Sequence, residues 1–392
     1  MTFKKYLLLL FLTISSIGFS QKKIELTPLS KISILTFGPG DDLYSKFGHT
    51  AIRIQEPSTG IDIAFDYGNF ASFEDGFYWK FIQGQLDYSM GGRRYKGLIE
   101  TYKSENRSIY EQELDLSLEE RKQLFSFLQK NFLPENRVYS YEFFFDNCAT
   151  KIPDILTKVF GDKIEYKTNY LESNYTFRQL IHQKVITNSW SGFGIDIALG
   201  ADIDKNATTY QHMFLPSYVH KQLAHSTFNK KELVKKDIVI YKAERENNSI
   251  FLASPLFWLS ILVVLVVYIT YRDFKANTRS TWLDFILFIS TGATGLLLFF
   301  LWFLTDHVST VNNFNTLWAF PLNSIVAFIV LKKTTPNWIR KYLILLLVLM
   351  VAAILVWLFK IQIFSPFLIL ILVALGIRYV FLLNILSNSK KL

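Results

Sequence analysis

The hydrophobic pattern changes period several times along the chain. Ile32–Phe37 is a short β-rich run, Thr50–Ile54 alternates apolar with polar, and Ile61–Phe65 does so again. Turn residues lie between the last two (Glu56-Pro-Ser-Thr-Gly60), so 49–67 reads as a β-hairpin. Ser117 with Glu120 forms a capping box that opens a helix running to about Asn131. Pro134–Arg137 is a loop and Val138–Phe145 an extended aromatic run, after which Asp146-Asn147-Cys148 begins a helix reaching about Phe160. Residues 161–245 are harder to read, with loop-like stretches near 188–195 and 200–209; they suit a lid or extra helices over a lipid entrance. Beyond 250 the pattern becomes long apolar stretches, at about 252–271, 282–304, 315–331, 342–359 and 364–386. Each is long enough to span a bilayer, the third and fourth at the short end. The fold class expected is α+β, followed by a five-helix transmembrane domain.

The N-terminus carries Lys4 and Lys5, then the apolar run Tyr6–Thr13, then small residues at Gly18 and Ser20. That is the layout of a secretory signal peptide, with cleavage expected after Ser20. The domains are then 1–20, a signal peptide; 21–250, an extracytoplasmic catalytic domain; and 251–392, the membrane domain.

Charge refines this picture. The 392-residue chain has 50% hydrophobic residues, a mean hydropathy of +0.21 and a formal net charge of +9. The membrane third holds +8 of that charge and the leader +2, so residues 21–250 carry −1. A near-neutral catalytic domain has no basic surplus for phosphate backbones, and nucleic acid is excluded as a partner. The connections between apolar stretches alternate in charge. Residues 272–281 hold Arg272, Lys275 and Arg279, 305–314 hold no Lys or Arg, and 332–341 hold four. The positive-inside rule makes the basic loops and the Lys390-Lys391 tail cytoplasmic. An odd number of spans then puts residues 21–250 outside, as the leader also requires. Arg378 lies within the fifth stretch, about two turns from its cytoplasmic end, and is expected to snorkel to headgroups.

A single cysteine excludes an internal disulfide framework and needs its own explanation in an exported protein. Cys148 sits where an extended run hands over to a helix. Free N–H groups and the helix dipole there favour a thiolate and can donate to an oxyanion. Of six histidines, His49 starts a strand after Phe47-Gly48 and, with the turn near residue 58, faces Asp66 or Tyr67 across the hairpin. A polar group there can orient the ring, completing a Cys-His-polar constellation. No His-Glu-x-x-His spacing is present, and neither a metal nor another cofactor is expected.

The order Phe47-Gly48-His49-Thr50-Ala51-Ile52-Arg53, Phe65-Asp66-Tyr67-Gly68, Pro134-Glu135-Asn136-Arg137-Val138-Tyr139 and Asp146-Asn147-Cys148-Ala149-Thr150 resembles the Lnb-type lipoprotein N-acyltransferases of Bacteroidota. These are distinct from the nitrilase-like Lnt enzymes. The five-stretch tail, with Thr305-Asp306-His307 outside the second, is similar to that family's membrane domain, so the likeness covers nearly the whole mature chain. Histidine before cysteine is also similar to circularly permuted NlpC/papain-like folds, including lecithin–retinol acyltransferase.

The resemblance implies a bacterial inner-membrane acyltransferase with its catalytic domain in the periplasm. Its partners would be membrane phospholipids, as acyl donors, and lipoprotein N-termini, as acceptors. Cys148, His49 and Asp66 are the expected catalytic residues, and Gly48, Tyr67, Asn147, Asp306 and His307 the expected substrate-binding ones; Asn312, Asn313 and Asn315 are polar enough to join them. The competing readings are a membrane-anchored cysteine peptidase or amidase, a phospholipase or thioesterase using the same acyl-enzyme, and a non-enzymatic scaffold with a packed thiol.

Overall fold

The structure is a computed structural model and describes residues 25–71, 77–85, 87–171, 173–244, 250–332 and 334–388. The expected signal peptide lies outside these residues.

The first domain is built on a seven-stranded antiparallel sheet. In chain order its strands are β1 (Lys31–Phe37), β2 (His49–Glu56), β3 (Ile61–Phe70), β4 (Asp87–Arg94), β5 (Ile109–Leu114), β6 (Val138–Ser140) and β10 (Val234–Tyr241), arranged β10-β5-β1-β2-β3-β4-β6. The expected hairpin is β2–β3, closed at Glu56↔Ile61. β1 is buried from Ile32 to Phe37, Ser33 and Thr36 included, because both its faces are covered. Ile32 and Ile34 join Ile52, Ile54 and Phe65 beneath helices α3 (Leu118–Asn131) and α4 (Lys151–Phe160). Leu35 and Phe37 face the other way and pack with Ala51, Ala64 and Ile109 beneath α2 (Tyr95–Ser104). The Ser117–Glu120 capping box forms as expected and starts α3. A seven-residue helix, α1 (Phe77–Gln83), joins β3 to β4.

The described residues of 161–245 include the extra helices expected there. They hold α5 (Phe177–His182), α6 (Trp190–Ala198) and α7 (Pro216–Ala224). A small antiparallel sheet is made by β7 (Ile164–Glu165), β8 (Thr227–Phe228) and β9 (Lys231–Glu232), and β10 then returns to the edge of the main sheet. The stretch after α6 is a docking platform. Arg178, fully buried, pairs with Asp196 (3.1 Å) and Asp204 (2.8 Å) and donates to the carbonyls of Leu199 and Gly200. The same backbone binds the membrane domain: Gly200 N–H donates to Ser309 and Ala201 N–H to Asn312, while the Asn313 and Asn315 amides donate to Ile197 O. Asn313 and Asn315 therefore join the two domains.

Among the described residues, four helices of the second domain are long and apolar enough to cross a membrane: α8 (Pro255–Ala276), α9 (Thr281–Phe303), α11 (Trp338–Leu358) and α12 (Leu368–Asn388). The third expected stretch differs. It holds a 3₁₀ turn at Phe314–Leu317 and an eight-residue helix, α10 (Asn323–Val330), separated by residues 318–322 with Pro321 among them. Irregular backbone at this depth is tolerated only where protein covers it. Glycines on α9 provide the cover, since a Cβ at Gly295 would lie 2.1 Å from Ala319 O and one at Gly292 2.1 Å from Ser324 N. Asn323, fully buried, donates to Thr291 Oγ1 (2.9 Å) and accepts from the Tyr342 hydroxyl (2.5 Å).

Arg378 does not snorkel. It is fully buried, bound to Asp284 (2.6 Å) and Asp273 (2.8 Å), with Arg279 on the other oxygen of Asp284 (2.9 Å). Two aspartates close enough to pair with it hold the guanidinium inside the bundle.

Candidate active site

Three segments converge at one end of the main sheet. The first is the start of β2. Gly48 has φ +90°, and a Cβ there would meet Phe37 O at 2.6 Å, so only glycine lets the chain turn into the strand at this point. His49 follows, its side chain 17% exposed, beside the rings of Phe37 and Tyr102.

The second segment is the end of β3. Ala51 pairs with Asp66, and continuing that register puts Gly68 opposite His49, one position beyond the expected Asp66 or Tyr67. The imidazole reaches back diagonally, and its Nε2 lies 3.3 Å from Asp66 Oδ2. Asp66 is buried, and Arg93 of β4 also meets its Oδ2 at 3.1 Å while the Asn69 amide donates to its Oδ1 at 2.9 Å. Tyr67 points to the other face. Its hydroxyl donates to Asn131 at the end of α3, and its ring packs edge-on to Tyr139.

The third segment is the turn before α4. Asn147, buried, uses all its side-chain polar atoms to build it. Its Oδ1 accepts from the N–H groups of Ala149 (2.7 Å) and Thr150 (3.0 Å), and its Nδ2 donates to the carbonyls of Phe143 (2.6 Å) and Phe214 (2.9 Å). Cys148 sits on this turn, its carbonyl held by Thr50 Oγ1 at 2.6 Å. Among the described residues its backbone N–H has no partner. Gly68, at φ +91°, lies against the thiol-bearing carbon: a Cβ there would be 3.7 Å from Cys148 Cβ.

His49 hydrogen-bonds with Asp66 and lines the same cavity as Cys148. Burial works against the protonated ring, but Tyr102, the Cys148 sulfur and the bond to Asp66 outweigh it and raise the imidazole well above its usual value. Burial would likewise raise Asp66, yet the hydrogen bond and charge of His49, then Arg93 and Asn69, hold its carboxyl below the usual value. The pair therefore favours imidazolium and carboxylate.

His49, Tyr67, Asn147 and Cys148 line a cavity of about 450 Å³ with Gly48, Gly68, Arg93 and Tyr141 among its walls. Gln85 and the main chain of α1 and its following turn bring the membrane domain to the same region. Asp306 Oδ2 accepts from Gln85 Nε2 (2.8 Å), Asp306 N–H donates to Gln83 O (2.8 Å), and His307 Nε2 donates to Ile82 O (3.0 Å). Asp306 and His307 line a second, smaller cavity that shares the walls Tyr88, Tyr141 and Phe143 with the first.

Arg93, Asn69, Thr50 and Tyr141 are absent from the sequence-based set. One local signal pointed to β4: Gly91-Gly92 precedes Arg93, and a Cβ at Gly91 would lie 2.6 Å from both Asp66 Oδ1 and Asn69 Nδ2. Paired glycines in a strand mark a close approach. Among the described residues no three His, Cys, Asp or Glu side chains are grouped as metal ligands.

A sheet domain with a cysteine, histidine and aspartate at one end, joined to a bundle of apolar helices, defines a membrane protein with a thiol-bearing site held beside its membrane domain. Residues 19–183 match the Lnb N-terminal periplasmic domain and residues 245–391 the Lnb transmembrane domain. The two models come from one family and lie in that order along the chain, so this protein belongs to the Lnb family, with its N-terminal part in the periplasm. No curated protein and no solved structure matches it.

Proposed function

We propose that this protein is a lipoprotein N-acyltransferase of the bacterial inner membrane, with its C-terminus in the cytoplasm. The observation that carries the reading is His49 set between Asp66 and Cys148 in a cavity that adjoins the membrane domain. With Nε2 held by Asp66, the neutral form of His49 takes the thiol proton on Nδ1 as Cys148 Sγ attacks an ester carbonyl of a phospholipid. The free Cys148 N–H donates to the oxyanion that forms. Collapse breaks the ester bond, and the lysophospholipid leaves with the proton from His49, so the acyl chain remains as a thioester on Cys148.

The α-amine of a diacylglyceryl-cysteine then attacks the thioester. An α-amine has a pKa of about 7.7–8.0, so a sizeable neutral fraction is available. His49 accepts the amine's proton, the C–S bond breaks, and the proton returns to the thiolate. The product is an amide-linked third acyl chain, and the free thiol is restored. Thioester aminolysis is downhill, so no nucleotide or metal enters the balance. Gly48 and Asn147 position the two reacting side chains, and Tyr67 closes the back of the site through Asn131.

Mass spectrometry of lipoprotein N-termini from cells with and without this protein tests the reading. The amide-linked chain is expected to vanish in its absence, and again when Cys148→Ser replaces the wild type. Unchanged acylation rejects the transferase. Fatty-acyl mass on Cys148 separates acyl chemistry from peptide cleavage, and its discharge by amine rather than water separates transferase from phospholipase.

A further inference from the structure

The smaller cavity, of about 170 Å³, has a chemical character of its own. It is bounded by Gly84, Tyr88, Tyr141, Phe143, Glu142, whose Oε2 accepts from the N–H groups of Phe144 and Phe145, and the membrane-domain loop Asp306–Ser309. No lysine or arginine lines it, whereas Arg93 and Arg107 line the larger cavity. Its two carboxylate residues are Asp306 and Glu142. Asp306 gives one oxygen to Gln85, and the other has no protein partner among the described residues. His307 donates through Nε2 to a carbonyl, which can only accept, so that nitrogen carries the proton and Nδ1 is left as an acceptor. That Nδ1 would lie 2.9 Å from a Cβ at Gly84, so the missing side chain is what keeps the space beside it open. Tyr88 and Tyr141, stacked on each other at 4.3 Å between centroids, and Phe143 complete the enclosure.

From this arrangement we infer that the smaller cavity binds a primary ammonium group, with Asp306 as its main charge partner and Glu142 as the opposite wall. The inference rests on the acyl-transfer reading. It adds a division of labour by charge: the anionic phosphate of a phospholipid suits the arginine-lined cavity, and the ammonium sits across Tyr141 from it. Two substrates present such an ammonium, the acceptor's N-terminus and an ethanolamine headgroup on the donor. Tyr88, Tyr141 and Phe143 are walls of both this cavity and the one that Cys148 lines. An acceptor bound as the ammonium would lose its proton before attack.

Asp306→Asn removes the charge and keeps an acceptor for Gln85. Full-length wild type and variant are incubated with phosphatidylethanolamine vesicles or with phosphatidylglycerol vesicles, and acyl mass on Cys148 is followed. A synthetic diacylglyceryl-cysteine peptide is then added. We expect the variant to load acyl chains from both vesicles and to discharge them to the peptide at least about tenfold more slowly. Slower loading from phosphatidylethanolamine alone also supports an ammonium site and assigns it to the donor. Loading and discharge both unchanged overturn the inference, as does an equal loss of loading from both lipids, which is the mark of a structural role. A wild type that never acquires acyl mass defeats the acyl-transfer reading itself, and the inference falls with it.

Discussion

Nε2 of His49 lies 3.3 Å from Oδ2 of Asp66, and the same oxygen meets Arg93 at 3.1 Å. The carboxylate thus fixes the ring and is itself kept ionised by a second cation. Asp66→Asn keeps the shape but removes the charge, so the His49 titration should move down from its raised position. Acyl loading of Cys148 should fall by about a hundredfold, as expected when a general base loses its orienting partner. Modification of His49 by diethylpyrocarbonate across pH, which reports the neutral ring, checks the first expectation. Intact mass checks the second.

The same pair sets a pH window for stability. Asp66 has a folded-state pKa below its ordinary 3.8, so its contribution is present above that value and is lost as pH falls through the lower one. His49 is raised above its ordinary 6.5, so its contribution is complete below 6.5 and is lost as pH rises through the higher value. Both act together from about pH 4 to 6.5. The melting-temperature gap between wild type and Asp66→Asn should be widest there and narrow on either side. A gap that stays flat across pH would show that the two groups do not ionise as a pair.

Gly68→Ala tests the approach of β3 to the nucleophile. At φ +91° any side chain is strained by about 1–2 kcal/mol. The added methyl would stand 3.7 Å from Cys148 Cβ, in contact but without a clash. A modest loss of melting temperature is expected, with a larger loss in the rate at which Cys148 reacts with an acyl thioester. Iodoacetamide labelling, which needs less room, should change less.

Gly200→Ala probes the dock. A Cβ at this position would lie 1.8 Å from Val311 O, so the platform after α6 must part from the membrane loop, at a cost of about 1–3 kcal/mol. The catalytic residues lie on other elements and should keep their geometry. Acyl loading from vesicles is therefore expected to fall, while alkylation of Cys148 in detergent by a small water-soluble reagent proceeds at the wild-type rate.

What was legible in the sequence and what was not divide along physical lines. The β2–β3 hairpin, the Ser117–Glu120 cap and the turn at Cys148 are local: period, turn residues and capping pairs lie within a few positions of one another. His49, Asp66 and Cys148 could be singled out because two of them share a hairpin and the third marks a helix start. Arg93 was marked only by the glycine pair before it, and the Arg178–Asp196–Asp204 cluster gave no such sign, since its members lie on separate elements. The platform at 196–202, the end of α6 and the turn after it, is ordered by contact with residues 309–315, about a hundred positions away, so no local pattern marks it. Asn147 read as a substrate ligand from its place beside the cysteine, but its amide is spent on the turn. The third apolar stretch has enough hydrophobic residues for a span, and its break at 318–322 depends on Gly292 and Gly295 of a different helix.

Arg378 fits that account and permits a sharp test. Hydropathy sees one charge near a helix end, for which the headgroup region is the ordinary destination. The side chain instead turns inward because Asp284 on α9 and Asp273 on α8 both reach it, with Ser280 O taking a further N–H. Removing one member of a buried ion pair leaves the rest uncompensated, which is usually worth about 3–5 kcal/mol. Arg378→Met should therefore lower the melting temperature and the yield of folded protein. Arg378→Lys should not restore them, since one ammonium cannot span two carboxylates and a carbonyl as the planar guanidinium does. Replacing Arg378 together with Asp284 by Met and Leu should recover part of the loss, with Arg279 left nearer the polar end. A snorkelling arginine would behave in the opposite way: Lys would substitute freely and Met would be nearly silent. Melting curves of the three variants in one detergent decide between these behaviours.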